Sequence, residues 1–467
     1  MAETPNPQDA KSVIRDSRYR KLLVLAAVVG VAVSLASWGF LTLVPWLQDL
    51  VFLDLPDLLG FAQAPWWWPI PILAIAGALT AYVILNLPGG GGGIPADGLS
   101  SGVTEPATLP GVLLAGLATL GLGLVLGPSS PVIALGMGLG LFIIRSASPD
   151  TPEDAQNVIA VAGSFAALAM VFSNPIIAAI VLIEAIGIGG TMAPVIVLPG
   201  LLAAGIGSLV YLGMGSLTGL STAAYALQPL ELPPLGDLTL ADFAWAVPLA
   251  ILCAALGVGV VALAKRTNQL VSRGLWVRLP IVGIVVAVLA IAFAQITGES
   301  PLAILLSGSK AMSPIVEQAD TLAISTIALL LLLKTAAWTL SMGSFRGGPV
   351  FPAIFVGVVA GLFAANLPGL DISAALPIVV AATLVVILRL PLAACTITLL
   401  LTASAGLQAT ALIITSVVVA YVAGEVLRSH FIEGVNEPRT SPEPPHKSEP
   451  TTTGPSPDGP TAPTAHP

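Results

Sequence analysis

The sequence predicts an all-α protein that crosses a membrane many times and consists of two related halves containing broken helices. Three observations lead to this class. Of 467 residues, 56% are apolar and 9% are charged, with a mean hydropathy of +0.95, far outside soluble composition. Pro131 is followed by Gly136 and Gly140, and 221 residues later Pro352 is followed by Gly357 and Gly361, so the pattern Pro-x4-Gly-x3-Gly occurs twice. Finally, Asn174-Pro175-Ile176-Ile177-Ala178-Ala179 reads like Leu390-Pro391-Leu392-Ala393-Ala394-Cys395 at nearly the same offset. Interrupted helices at matching places in two halves point to a binding site near the bilayer midplane.

Taken in order, the apolar runs long enough to cross about 30 Å of hydrocarbon are residues 22–40, 110–126, 247–264, 279–294, 321–340 and 412–427. The first is too long for a signal peptide and ends among Trp38, Phe40 and Trp46 rather than at a small-residue cleavage site, so it reads as a span. Residues 131–144, 176–188 and 352–365 are too short or too Gly-rich for comfortable spans and suit half-helices or strongly tilted ones. Beyond Gly434 the chain turns to Pro, Ser, Thr and Glu, with ten prolines and no apolar period, which predicts a disordered tail. The expected organisation is an N-terminal segment 1–21, a first membrane repeat 22–230, a second 231–430 and the tail 431–467.

Basic residues set the expected orientation. Lys11, Arg15, Arg18, Arg20 and Lys21 precede the first span, and Lys265, Arg266, Arg273 and Arg278 crowd one short loop. The positive-inside rule places both on the cytoplasmic side of the plasma membrane, with both termini cytoplasmic. Asp49, Asp54 and Asp57, and later Glu231, Asp237 and Asp242, belong to opposite connections, and Trp66, Trp67 and Trp68 suit an interfacial belt. The net charge of -8 is spread over loops and tail and points to no nucleic-acid partner. Cys253 and Cys395 lie in separate apolar runs and read as small core residues rather than a disulfide or metal pair.

The three histidines, His430, His446 and His466, all lie at or beyond the last span, leaving no intramembrane histidine relay or metal site. Ionisable residues in or near the apolar runs reduce mainly to Glu105, Arg145, Glu184, Lys310, Lys334, Arg346 and Arg389, each a candidate for function. Gly89 to Gly93 precede Ile94-Pro95, Gly127 precedes Pro128 to Pro131, and Gly347-Gly348 precede Pro349 to Pro352. Each break places an unwound turn before a helix start, where Pro is favoured in the first turn. Such starts aim unsatisfied N–H groups and the positive end of the helix dipole at one point, and three of them together would hold an anion without a full positive charge. The alternative is that Gly and Pro merely allow kinks and close packing.

These residues resemble a known family. Gly91-Gly92-Gly93-Ile94-Pro95 resembles the Gly-Ser-Gly-Ile-Pro motif of the CLC chloride channels and transporters, and Gly123 to Pro131 resembles the family's Gly-Arg-Glu-Gly-Pro region with its apolar lead. Phe172-Ser173-Asn174-Pro175, running to Leu182-Ile183-Glu184, resembles the family's next helix, and Gly347 to Pro352 its Gly-x-Phe-x-Pro region. Ser344-Phe345-Arg346-Gly347-Gly348 is similar to the bacterial YfeO-like branch. The resemblance covers nearly the whole membrane domain in the family's order. It implies a CLC-type inverted repeat, a homodimer in the lipid bilayer, and one pathway per subunit for chloride or other small inorganic anions, with no cofactor.

Departures from the family pattern bear on mechanism. The family's movable glutamate, which gates the path and carries the exchanged proton, falls on Ser129, and its internal proton-transfer glutamate falls on Ala185, next to Glu184. A hydroxyl carries no charge and does not titrate near neutral pH. Glu184 is one residue away, about 100° around the helix. The family's serine donor becomes Gly92, no tyrosine stands near Glu433, and Pro349 lacks an N–H. The anion donors expected to remain are the backbone N–H groups of Gly93, Ile94, Ser129, Ser130, Val132, Gly348, Val350 and Phe351, with the Ser129 and Ser130 hydroxyls. Two lost contacts at about 0.5–1.5 kcal/mol each imply binding weaker by roughly 10- to 100-fold. The expected activity is passive conduction of chloride or a similar anion; the alternatives are a chloride/proton exchanger using Glu184 or Glu105, or a carrier of fluoride or nitrate. No catalytic constellation stands in the spans, so no enzyme is expected.

Overall fold

The structure, a computed structural model, describes residues 7–99, 102–219 and 227–431. Phe431, the expected start of the tail, still ends a helix; the rest of that tail and the position near Glu433 lie outside the described residues, as do residues 1–6. Among the described residues all regular structure is helical apart from one isolated bridge. After a short helix α1 (Pro7–Arg15), the membrane region begins with α2 (Ser17–Asp49), α3 (Pro69–Asn86) and the short α4 (Leu109–Gly116). It continues with α5 (Ser129–Ala147), α6 (Glu153–Phe172), α7 (Pro175–Ile186) and α8 (Ala193–Thr218). The later part contains α9 (Leu240–Val271), α10 (Leu275–Thr297), α11 (Ile324–Ser344), α12 (Val350–Ala364), α13 (Ile372–Leu388), α14 (Pro391–Leu401) and α15 (Ala409–Phe431).

Nine of the described helices are long and apolar enough to cross a bilayer, so the chain is a multi-pass membrane protein. They include α3, α6 and α8, which interruptions such as Pro71, Asn157 and Pro199 hide from a search for unbroken apolar runs. Two expectations change. Residues 110–126 do not form a span: α4 is eight residues long, passes through a wide π turn at Leu117–Gly121 and then unwinds. The run from residue 131 is instead part of the 19-residue α5, about 28 Å long at 1.5 Å per residue. The tryptophan belt also divides. Trp66 is 63% exposed, whereas Trp68 is buried and donates to the Val51 carbonyl at 3.0 Å.

The repeated Pro-x4-Gly-x3-Gly pattern has a common packing cause. A Cβ on Gly136 would fall 2.5 Å from the Gly163 carbonyl oxygen, and one on Gly163 would overlap the Gly136 carbonyl, so α5 and α6 touch backbone to backbone. Gly140 meets the Ile159 carbonyl in the same way. In the second pattern, Cβ atoms on Gly357 and Gly361 would lie 3.0 Å from Val380 Cα and Leu376 Cα of α13. Small residues four apart form a flat groove that lets the next helix approach closely, the main source of helix adhesion in lipid. The close-packing reading therefore accounts for these glycines, while the prolines mark the helix starts.

Outward residues are apolar too. Val24, Val28, Val31 and Leu35 of α2 are 42–66% exposed at spacings of four, three and four, one outward-facing apolar stripe. Inside, the fully buried Lys334 of α11 donates to the carbonyls of Ala303, Leu305 and Leu306 at 3.1, 2.7 and 3.1 Å, with its ammonium 4.9 Å from the Phe355 ring centre. Three acceptors match its three N–H bonds, and the Leu306 N–H in turn donates to Gly123 O at 2.9 Å. This lysine fastens the non-helical segment before α11 against the region that leads into α5.

Candidate anion site

Three features bring the broken segments together. Gly127 and Gly348 form an antiparallel bridge: Gly127 N–H donates to Gly348 O at 2.8 Å, and Gly348 N–H to Gly127 O at 2.6 Å. Each residue lies two positions before a helix start, so the tips of α5 and α12 are joined at one point. Pro128 and Pro349 follow the bridge with φ near −82° and −83°, the values the pyrrolidine ring favours, and turn the chain into each helix. Behind the joint, the Phe172 and Phe351 rings lie 6.1 Å apart.

At the α5 tip, the Ser129 side chain is buried against Gly348, where its Oγ occupies the space that a Cβ on residue 348 would need. The Ser129 and Ser130 hydroxyls are both buried without a hydrogen-bond partner among the described residues. A buried hydroxyl without a partner costs free energy, and at the positive end of a helix the missing partner is one that accepts.

The Gly-rich turn completes the arrangement. Gly89 to Gly92 all have positive φ, between 56° and 94°, a conformation open to glycine at little cost. This turn, Ser130 and Gly347 line one pocket of about 330 Å³, with Val112 on its wall and Glu105 at its edge. Glu105 is paired with Arg145 at 2.7 Å, and Asp97, just past the turn, reaches Lys265 at 3.4 Å. Lys265 and Arg266 lie within α9 and Arg278 within α10 rather than in one loop, so the turn sits beside the C-terminal part of α9.

The structure shortens the list of donors in two places, Gly348 and Val132. Gly348 N–H is engaged by Gly127 O, and Gly92, where the serine donor is already missing, has its own N–H taken by Gly89 O at 2.9 Å. Val132 is already inside α5, where its N–H meets Pro128 O at 3.1 Å. Such groups are closed to a ligand because backbone donors at this depth hold their partners. The N–H groups of Gly93, Ile94, Ser129, Ser130 and Val350 carry no backbone partner among the described residues. Gly93, Ser130 and Gly347 meet in the pocket, while Ser129, Ile94 and Val350 are not among its lining residues.

The carboxylate next to Ala185 is committed elsewhere. Glu184, near the end of α7, accepts the N–H of Leu392 at 2.9 Å on one oxygen and that of Ala393 at 2.8 Å on the other. It thereby caps the start of α14, whose first residue, Pro391, has no N–H to offer. Neither Glu184 nor Ala185 lines the pocket. One residue absent from the expected site also flanks it: Arg346, whose Nε donates to Gly90 O at 3.2 Å.

Comparison with known proteins identifies the family and the fold. The profile of the family described as "Voltage gated chloride channel" matches residues 96–425. The chain is 28% identical over 358 residues to the "Putative ion-transport protein YfeO" of Escherichia coli (strain SMS-3-5 / SECEC), covering 74% of this chain and 80% of that relative. A Shigella boydii serotype 4 protein of the same name is 28% identical over 355 residues, covering the same shares. Among solved structures, a slow cyanobacterial Cl−/H+ antiporter superposes with a TM-score of 0.69 at 17% identity, over 89% of this chain and 96% of its own. A CLC-type fluoride/proton antiporter gives 0.62 at 18% identity, over 87% and 96%. At these identities the two structures speak for the fold.

Proposed function

The chain belongs to the voltage gated chloride channel family, and from that premise we propose that it conducts chloride or a similar small anion passively, without coupling to protons. The observation that carries this reading is the α5 tip. Two buried hydroxyls without partners stand at the positive end of the helix, and the sequence resemblance sets Ser129 in the position of the family's gating carboxylate. Ser129 cannot compete with an anion by charge, and it cannot carry a proton between pH 4 and 10. Glu184 is held by two backbone N–H groups of another helix, which supports its having a capping role instead of a shuttling one. With few side-chain ligands the site binds anions weakly, which favours passage over retention. The working unit in this reading is a homodimer in the plasma membrane, one pathway per subunit, both termini cytoplasmic.

The test is a paired flux assay. Purified protein in lipid vesicles is given a chloride gradient, and chloride efflux and external pH are followed together. Passive conduction predicts chloride efflux that stops without a charge-compensating ionophore and moves no protons uphill. Proton movement against its gradient in fixed ratio to chloride would establish exchange instead. Competition among chloride, fluoride and nitrate then identifies the preferred anion.

A further inference from the structure

Arg346 lies between two elements that line the pocket. Its neighbour Gly347 forms part of the wall, and its Cγ is 3.3 Å from where a Cβ on Gly91, another wall residue, would stand. Nε donates to Gly90 O at 3.2 Å and Nη1 to Phe345 O at 3.3 Å. A guanidinium has five N–H donors and keeps its charge throughout the accessible pH range. No carboxylate among the described residues pairs with it; the recorded ion pairs belong to Arg18, Arg145, Lys265, Lys310 and Arg389. Lys334, the other deeply placed cation, has its three donors matched by three carbonyls. Glu105, the one carboxylate lining the pocket, is already neutralised by Arg145.

We infer that Arg346 sets the anion affinity and charge selectivity of the pocket, supplying the standing positive charge against which a small monovalent anion rests. This deepens the proposed function and depends on the pocket lying on the anion path. A half-buried charge without a counter-charge is expensive, and an anion in the adjoining cavity supplies one. The hydrogen bond to Gly90 also ties the charge to the Gly-rich turn that forms the wall. At several ångströms in a partly dry site, one unit charge changes the affinity of a monovalent anion by about tenfold to thirtyfold.

Two substitutions separate charge from bracing. R346K keeps the charge and loses the planar fork; R346Q keeps an N–H that can reach Gly90 O and loses the charge. In vesicle flux across a chloride series, R346K is expected to hold the half-saturating concentration within about threefold, and R346Q to raise it about tenfold or more. An unchanged value in R346Q, or equal losses in both variants, overturns the assignment and leaves a structural brace. If R346Q does not fold, a bromide anomalous map of the unaltered protein decides: an ion in the cavity bounded by Gly91 to Gly93 and Gly347 supports the assignment, and no ion there overturns it. Unaltered protein that moves no anion defeats the functional reading itself, whereas active protein with an indifferent R346Q defeats only this inference.

Discussion

Ser129 Oγ fills the space beside Gly348 that any larger residue at 348 would claim. The contact lies at the joint of the α5 and α12 tips, so a methyl group added at 348 must displace the serine, the bridge to Gly127, or both. Overpacking of this kind typically costs about 1–3 kcal/mol. G348A should unfold at a lower temperature in detergent than the parent protein and conduct poorly. Adding S129G should recover part of the stability, because the overlapping atom is gone. A double variant no more stable than G348A would show that the bridge, not the hydroxyl, sets the constraint.

Restoring a carboxylate tests what the serine permits. S129E places a group with an ordinary pKa near 4.3 at the tip of α5, where it is charged at neutral pH and competes with a permeant anion. Chloride flux should fall at least tenfold at pH 7 and recover as the pH drops through about 4–5, when the carboxyl becomes neutral. Flux that is equally low at pH 4 and pH 7 would mean that bulk, rather than charge, closes the path.

Glu184 should matter for stability and not for transport. Its two oxygens receive Leu392 and Ala393 N–H, and a carboxylate at a helix start contributes up to about 1–2 kcal/mol. E184Q keeps one acceptor and turns an amide group toward the other N–H. A lower melting temperature with unchanged chloride flux is expected; a flux loss of more than a few-fold would bring Glu184 back as a transport residue.

The Glu105–Arg145 pair predicts a modest acid sensitivity. Hydrogen bonding from the Arg145 guanidinium holds the Glu105 carboxyl below the usual carboxylate range. A carboxyl whose folded pKa is depressed contributes stability that is present above its unfolded pKa, near 4.3, and is lost as pH falls through the folded value. Both side chains are about half exposed, at 56% and 44%, so water screens the pair and the effect is small. The difference in melting temperature between the parent and E105Q should be flat from pH 8 to 5 and narrow below about pH 4, by no more than about 2 °C. A difference that grows in acid would contradict the pairing.

Some of this architecture was legible in the residues and some was not. Helix starts at 129, 175 and 350 follow from Pro placed after turn-forming residues, and the twofold glycine spacing follows from helices that must pack closely. The span at α8 was hidden because Pro199 and Gly200 interrupt its hydrophobic run, although α8 continues through them. Residues 110–126 misled for the opposite reason. Most of them, 118–126 throughout, are buried in the protein interior, where a chain can be hydrophobic without being a span. The donors lost at Val132 and Gly348 depend on which carbonyl each N–H meets, and for Gly348 that partner lies in the other half of the chain. Arg346 was visible as an ionisable residue, but its place beside the pocket comes from contact with Gly90 and Gly91, about 255 positions away.

The two strands of backbone that exchange hydrogen bonds at Gly127 and Gly348 are 221 positions apart, which sets an order of events during synthesis. At roughly 5–20 residues per second, the earlier tip leaves the ribosome about 11–44 s before the later one. Over that interval the nascent first half carries a peptide N–H and a carbonyl that the finished protein pairs only with residues not yet made. The joint between the two helix tips therefore closes late, and a truncated translation product ending before residue 348 would insert its early helices without it.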